Sequence, residues 1–135
     1  MIKGVGHIGV LVRDLEASIR SFQELFGATL LETKVVEEQG VRVGMMAFQS
    51  GPHIELLEPL PGSKMAAILE KRGEGVQHIS FDVDNIGAEL ARLKDGSVNL
   101  IDEKPRRGVE GLVAFLHPRA VNGVLVELCQ KEQQE

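Results

Sequence analysis

A chain of 135 residues with 15 Lys+Arg against 20 Asp+Glu is acidic, at a formal net charge of −5, and 43% of it is hydrophobic. That length buries a core as a single domain over residues 1–135, and the charge excludes a basic surface for nucleic acid. No apolar run approaches the ~18 residues of a membrane span, so neither nucleic acid nor membrane is an expected partner. The first strand begins too early to leave room for a signal peptide. The lone cysteine, Cys129, cannot form an internal disulfide, which suits a cytoplasmic location.

Residues 4–12 alternate, with Ile8, Val10 and Val12 on one face of a strand and His7 and Gly9 on the other. Asp14 is placed to cap a helix carrying Leu15, Ile19, Phe22 and Phe26 at helical spacing, and Gly27 stops it. Thr29–Glu37 and Val41–Phe48 read as strands joined at Gln39-Gly40, and His53–Glu58 as a fourth. After the linker Pro59–Ser63, Ser63 caps a short helix through Leu69 that Gly73 ends. The order then repeats. Val76–Val83 reads as a strand, Asn85–Leu93 as a helix, and Val98–Asp102, Leu112–Leu116 and Val124–Cys129 as strands. The polar tail Gln130–Glu135 is expected to fray.

The repeat is visible in the residues themselves. Gly4-Val5-Gly6-His7-Ile8-Gly9-Val10 aligns with Gly75-Val76-Gln77-His78-Ile79-Ser80-Phe81, and His53-Ile54-Glu55-Leu56-Leu57 answers Val124-Leu125-Val126-Glu127-Leu128. His7 precedes Glu55 by 48 residues and His78 precedes Glu127 by 49. The expected fold is therefore α+β, with two βαβββ modules (about 4–60 and about 74–130) forming a curved mixed sheet. Helices cover one face, and both histidines point away from that core, beside the small residues Gly9 and Ser80. A carboxylate set between leucines is costly if buried alone. Four polar residues at equivalent points of a repeat suit one divalent metal held by His7, Glu55, His78 and Glu127. Such a set takes His N and carboxylate O at ~2.0–2.2 Å. Co²⁺, Ni²⁺, Mn²⁺, Fe²⁺ and Zn²⁺ all remain open. The competing reading is four unrelated polar residues on a solvated sheet face. Other features are weaker. His53 would share Glu55's face at the rim. His117 either meets substrate or sits in its turn. Lys104, Arg106 and Arg107 either meet an anion or are solvated loop.

These pieces resemble the vicinal oxygen chelate superfamily, and within it the methylmalonyl-CoA epimerase family. The resemblance is carried by His7-Ile8-Gly9-Val10, Glu38-Gln39-Gly40-Val41, Ile54-Glu55-Leu56-Leu57-Glu58-Pro59-Leu60, Lys71-Arg72-Gly73-Glu74-Gly75, His78-Ile79, Phe115-Leu116-His117-Pro118 and Gly123-Val124-Leu125-Val126-Glu127-Leu128. It implies paired modules around one metal, with Co²⁺ first, a homodimer, and an acyl-CoA substrate whose (R) and (S) forms are interconverted. It implies the same four ligands. Glu127 and Glu55 are the candidate bases, and Arg106, Arg107, His117 and Arg119 the candidate substrate contacts, the cations meeting CoA phosphates. One departure stands out. Where some members of the family place a base, three residues after the Gly of the Gln-Gly turn, this chain has Val43. The alternatives are a glyoxalase I-type lyase acting on a glutathione hemithioacetal, whose Asp-Pro-Asp-Gly loop is absent here, and a metal-free small-molecule binding protein of the same fold.

Overall fold

The computed structural model describes residues 1–132, in two compact units, one comprising His7–Gln77 and the other Met1–Gly6 with the chain from His78 onward. The first unit is built on β1 (Ile2–Leu11, entering at His7), α1 (Leu15–Phe26), β2 (Thr29–Val36), β3 (Val41–Ala47), β4 (His53–Pro59) and α2 (Lys64–Arg72). Its strands lie in the order β2-β3-β4-β1; β2/β3 and β3/β4 are antiparallel, and β4/β1 is parallel. This is the expected βαβββ order. The Asp14 carboxylate accepts from the Ala17 amide at 3.1 Å, and Gly27 ends α1 in the left-handed conformation at φ 67°. Gly40, at φ 68°, closes the 3-10 turn Glu37–Gln39 in a conformation that costs glycine little. Ser63 caps α2 through the Ala66 amide, and the helix runs three residues past the expected Leu69.

The apolar stripe of α1 packs on one face of these strands. Val12, Leu15, Ile19, Ala28, Met46 and Leu56 form the buried cluster, with Val10, Phe22, Leu30 and Ile54 against it. Gly44 lets α1 lie close: a Cβ there would stand 3.0 Å from Ile19 Cδ1 and 3.1 Å from Leu15 Cδ1. Leu56 is fully buried at the centre. Leu56→Ala is expected to cost about 2–5 kcal/mol, read as a lower denaturant midpoint at unchanged slope.

The second unit carries β5 (Gly75–Val83, entering at His78), α3 (Ile86–Asp95), β6 (Arg106–Arg107), β7 (Gly111–Leu116) and β8 (Val126–Lys131), in the strand order β5-β8-β7-β6. β5/β8 is parallel, and the β8/β7 and β7/β6 pairs are antiparallel. Asn85 caps α3 through the Ala88 amide at 3.0 Å. Val83, Ile86, Leu90, Ala114, Leu116, Val126 and Leu128 make its core. Glu89 is buried in α3 and stays charged: the Arg92 Nε–H at 3.0 Å, then the N-terminal ammonium, hold its carboxyl below the ordinary range.

Two expectations are corrected here. Val98–Asp102 is not a strand; Leu100 makes an isolated bridge with Leu116. The Ile101 and Asp102 amides both donate to the Phe115 carbonyl, and the Asp102 carboxylate accepts from the Phe115 amide at 2.9 Å. A side chain thus takes the place of a ladder partner, and the pairing passes instead to the two residues of β6. The last strand starts at Val126 rather than Val124, because the Val124 amide is spent on the Val121 carbonyl in a closing turn. It continues through Gln130 and Lys131, which were expected to fray; residues 133–135 of that expected tail lie outside the described residues. No helix among the described residues is long and apolar enough to cross a membrane.

Candidate functional site

Strand alternation decides which side chains gather. In β4, Ile54 and Leu56 join the α1 core, so His53, Glu55 and Leu57 take the opposite face. β1 lies parallel beside it with His7 opposite His53 and Gly9 opposite Glu55. Gly9 carries no side chain, and the Glu55 carboxylate reaches along that gap to His7, with Nδ1 and Oε2 at 3.3 Å. On the other flank Met45 faces Glu55, and Val43, fully buried, shares that face one pair along. Val43 therefore presents an apolar wall on that face.

The second unit repeats the arrangement. Val126 and Leu128 enter the α3 core and Glu127 turns the other way, as do His78 and Ser80 of β5. His78 Nε2 and Glu127 Oε2 lie 4.0 Å apart. Ser80 stands opposite Glu127 in the β5/β8 register, completely buried, and its hydroxyl finds no hydrogen-bond partner among the described residues. Lys131, farther along β8, faces Asp82 at 3.3 Å and Glu110 at 3.9 Å. Partial burial works against its charge, but the two carboxylates outweigh it and raise its pKa.

His7, Glu55, His78 and Glu127 expose 2, 2, 5 and 3% of their surface. This rules out a solvated sheet face. A buried carboxylate needs a compensating charge. Within each unit an imidazole stands beside the carboxylate, and a divalent cation would complete the compensation. Nitrogen and oxygen donors without a thiolate suit such a cation, so the residues present fit a metal. The other acidic cluster, Asp14, Glu16 and Glu58, is already engaged. Arg42 pairs with Glu16 and Glu58, and Glu58 also accepts from the Leu15 amide at 2.8 Å. The Arg42 hydrogen bond holds the Glu16 carboxyl below its ordinary range.

The remaining expected site residues divide. Arg106 lies over the Phe115 ring, 5.5 Å from its centroid, while Arg107 pairs with Glu132. Lys104 and Arg119 are exposed. His117 begins the Pro118–Ala120 turn and accepts the Arg119 amide on Nδ1 at 3.1 Å. Three residues escaped the sequence reading. Phe115 stands opposite Glu127 in the β7/β8 register, and its ring meets His78 edge-on, centroids 5.7 Å apart. Asp102 fixes both Phe115 and Arg106. Ser80 was read only as a small neighbour. The alternation of Val113 and Phe115 could have placed that ring; nothing in the sequence marks Asp102.

Comparison with known proteins fits this geometry. The family model of the Glyoxalase/Bleomycin resistance protein/Dioxygenase superfamily matches residues 6–115. An ethylmalonyl-CoA/methylmalonyl-CoA epimerase of Cereibacter sphaeroides is 37% identical over 96% of this chain and 99% of its own. The mitochondrial methylmalonyl-CoA epimerase of Homo sapiens is 36% identical over 93% of this chain and 73% of its own. A solved variant of the Streptomyces coelicolor methylmalonyl-CoA epimerase, in complex with 2-nitronate-propionyl-CoA, superposes with a TM-score of 0.93 at 34% identity, covering 100% of this chain and 99% of that one. The chain belongs to the Glyoxalase/Bleomycin resistance protein/Dioxygenase superfamily, in the branch that holds the methylmalonyl-CoA epimerases.

Proposed function

We propose that this protein interconverts the (R) and (S) forms of methylmalonyl-CoA, removing the C2 proton to give an enolate and returning a proton to either face. The observation that carries the reading is the pair of buried His/Glu sets at equivalent points of the repeat. Inverting a carbon through a planar enolate calls for a base on each face. Glu127 and Glu55, from equivalent strands, are those bases, and the buried apolar Val43 supplies none on that face. The relatives that act on this substrate class support the assignment.

His7, Glu55, His78 and Glu127 are the ligands of one divalent metal per chain, with Co²⁺ the first candidate and Ni²⁺, Mn²⁺, Fe²⁺ and Zn²⁺ the others. Once bound, the ion supplies positive charge for the oxygens on which the enolate's charge develops. The protein is further assigned to the cytoplasm as a homodimer, a reading that sedimentation at micromolar concentration checks.

Proton NMR in D₂O tests the activity directly. Metal-loaded protein is expected to exchange the C2 proton of methylmalonyl-CoA and equalise its epimers, and metal-free protein to do neither. Turnover of a glutathione hemithioacetal in place of the CoA thioester would move the assignment to a lactoylglutathione lyase.

Lys104, Arg107 and Arg119 are the exposed cations for the CoA phosphates, with His117 at the base of the Arg119 turn. An acidic protein needs such a local patch to hold a polyanion. The Arg107–Glu132 pair is exposed and weak enough to yield to phosphate. Charge reversal at Arg107 and Arg119 is expected to raise KM several-fold and flatten its salt dependence. An unchanged KM at both low and high salt would return these residues to ordinary loop.

A further inference from the structure

Asp102, Arg106 and Phe115 form a stack that ends on the His78 imidazole. Arg106 Cζ is 5.5 Å from the Phe115 centroid, which is 5.7 Å from that of His78, so the guanidinium lies within about 11 Å of the imidazole, the two steps end to end. The phosphates of a CoA thioester stand at the far end of the pantetheine arm, two amide-linked segments from the reacting carbon. The free carboxylate of a malonyl-type acyl group is bonded to that carbon. A cation so close to the His78/Glu127 pair is placed for the acyl end and not for the phosphates.

Its presentation supports the same ligand. The Asp102 carboxylate meets Nε of Arg106 at 3.5 Å, so the Nη donors remain for a second carboxylate. The guanidinium carbon lies over the Phe115 ring, while the side chain keeps 42% of its surface exposed. The oxygen of Asp102 that meets Arg106 also accepts from the Phe115 amide at 2.9 Å. One carboxylate oxygen thereby fixes both the ring and the cation resting on it.

We propose that Arg106 binds the free carboxylate of the acyl group and so selects malonyl-type over neutral acyl thioesters, with Asp102 as its positioning residue. This rests on the epimerase reading for the identity of the substrate. The lyase alternative offers no such carboxylate at the reacting carbon.

Three thioesters separate the possibilities in equilibrium binding to the metal-loaded protein: methylmalonyl-CoA, methylmalonyl-pantetheine, which lacks the phosphates, and butyryl-CoA, which lacks the carboxylate. Arg106→Ala is expected to weaken the first two by the same factor, on the order of tenfold to a hundredfold, and to leave butyryl-CoA unmoved. A loss that vanishes for methylmalonyl-pantetheine would make Arg106 a phosphate contact, and an equal loss for butyryl-CoA would make it structural; either overturns the proposal. So does wild-type protein that fails to prefer the two malonyl thioesters. Tight, carboxylate-dependent binding without epimerisation would leave the proposal standing and remove the assigned reaction. Asp102→Asn keeps an acceptor for the Phe115 amide but loses the charge facing Arg106. It is expected to raise KM for methylmalonyl-CoA several-fold at near-constant kcat. A fall in kcat at constant KM would end its positioning role.

Discussion

His78→Ala is expected to bind divalent metal at least a hundredfold more weakly while remaining folded. Loss of a direct ligand should exceed the ~10–100-fold that removal of a supporting partner costs. The fold survives because His78 and the α3 core occupy opposite sides of β5: Val83, Ile86, Leu90 and Leu128 keep their packing when the imidazole is gone. The same holds for His7, which points away from the Leu15, Ile19 and Leu56 cluster. Metal per chain by elemental analysis and the far-UV spectrum are the two measurements. If His7→Ala and His78→Ala both keep full metal content, the ligand assignment is wrong. If either unfolds, the imidazole faces are part of the core after all.

The second large effect is on the bases. Glu127→Gln and Glu55→Gln are each expected to slow epimerisation by about 10²–10⁴-fold, the usual contribution of a positioned proton acceptor. With two bases, the proton taken from one face is not the proton delivered to the other. Product formed in D₂O should therefore carry solvent deuterium at C2 from the first turnover. A single base serving both faces would return much of the original proton. A variant that keeps its metal is expected to retain proton exchange in one epimer without inverting it, since the surviving carboxylate still reaches one face. Full activity in Glu55→Gln would leave Glu55 as a ligand alone and make His53, His117 or a bound water the base to test next.

The repeat explains how much of this was legible before any coordinates. Period-two alternation put His7, Glu55, His78 and Glu127 opposite the helix-facing residues, and their strand neighbours Leu56, Val126 and Leu128 do pack into the helix-covered clusters. Asp14, Ser63 and Asn85 marked the helix starts because capping is local chemistry. The failures lie where non-local pairing overrides local pattern. Val98–Asp102 has the composition of a strand, yet the Ile101 and Asp102 amides share a single carbonyl of β7 and the Asp102 side chain takes the Phe115 amide. Asp102 and Phe115 are 13 residues apart, and no periodicity reports a contact of that kind. Likewise Arg106 and Arg107 are neighbours of equal charge in the sequence, and only the two-residue strand β6 sends one to Phe115 and the other to Glu132.

That truncated strand leaves the two halves of the repeat unequal where they could have stayed alike. The first half keeps a long hairpin of β2 and β3, while the second gives up most of its matching strand to a loop that carries Asp102. Interconverting two configurations of one carbon is a task with mirror character, and duplicated machinery serves it well. The molecule being converted has a head and a tail, however, and must enter the same way round in either configuration. Under the proposed assignments, a duplicated scaffold that drifts in one half only would supply both needs: matched groups for the carbon, and one unmatched handle to set the direction of entry.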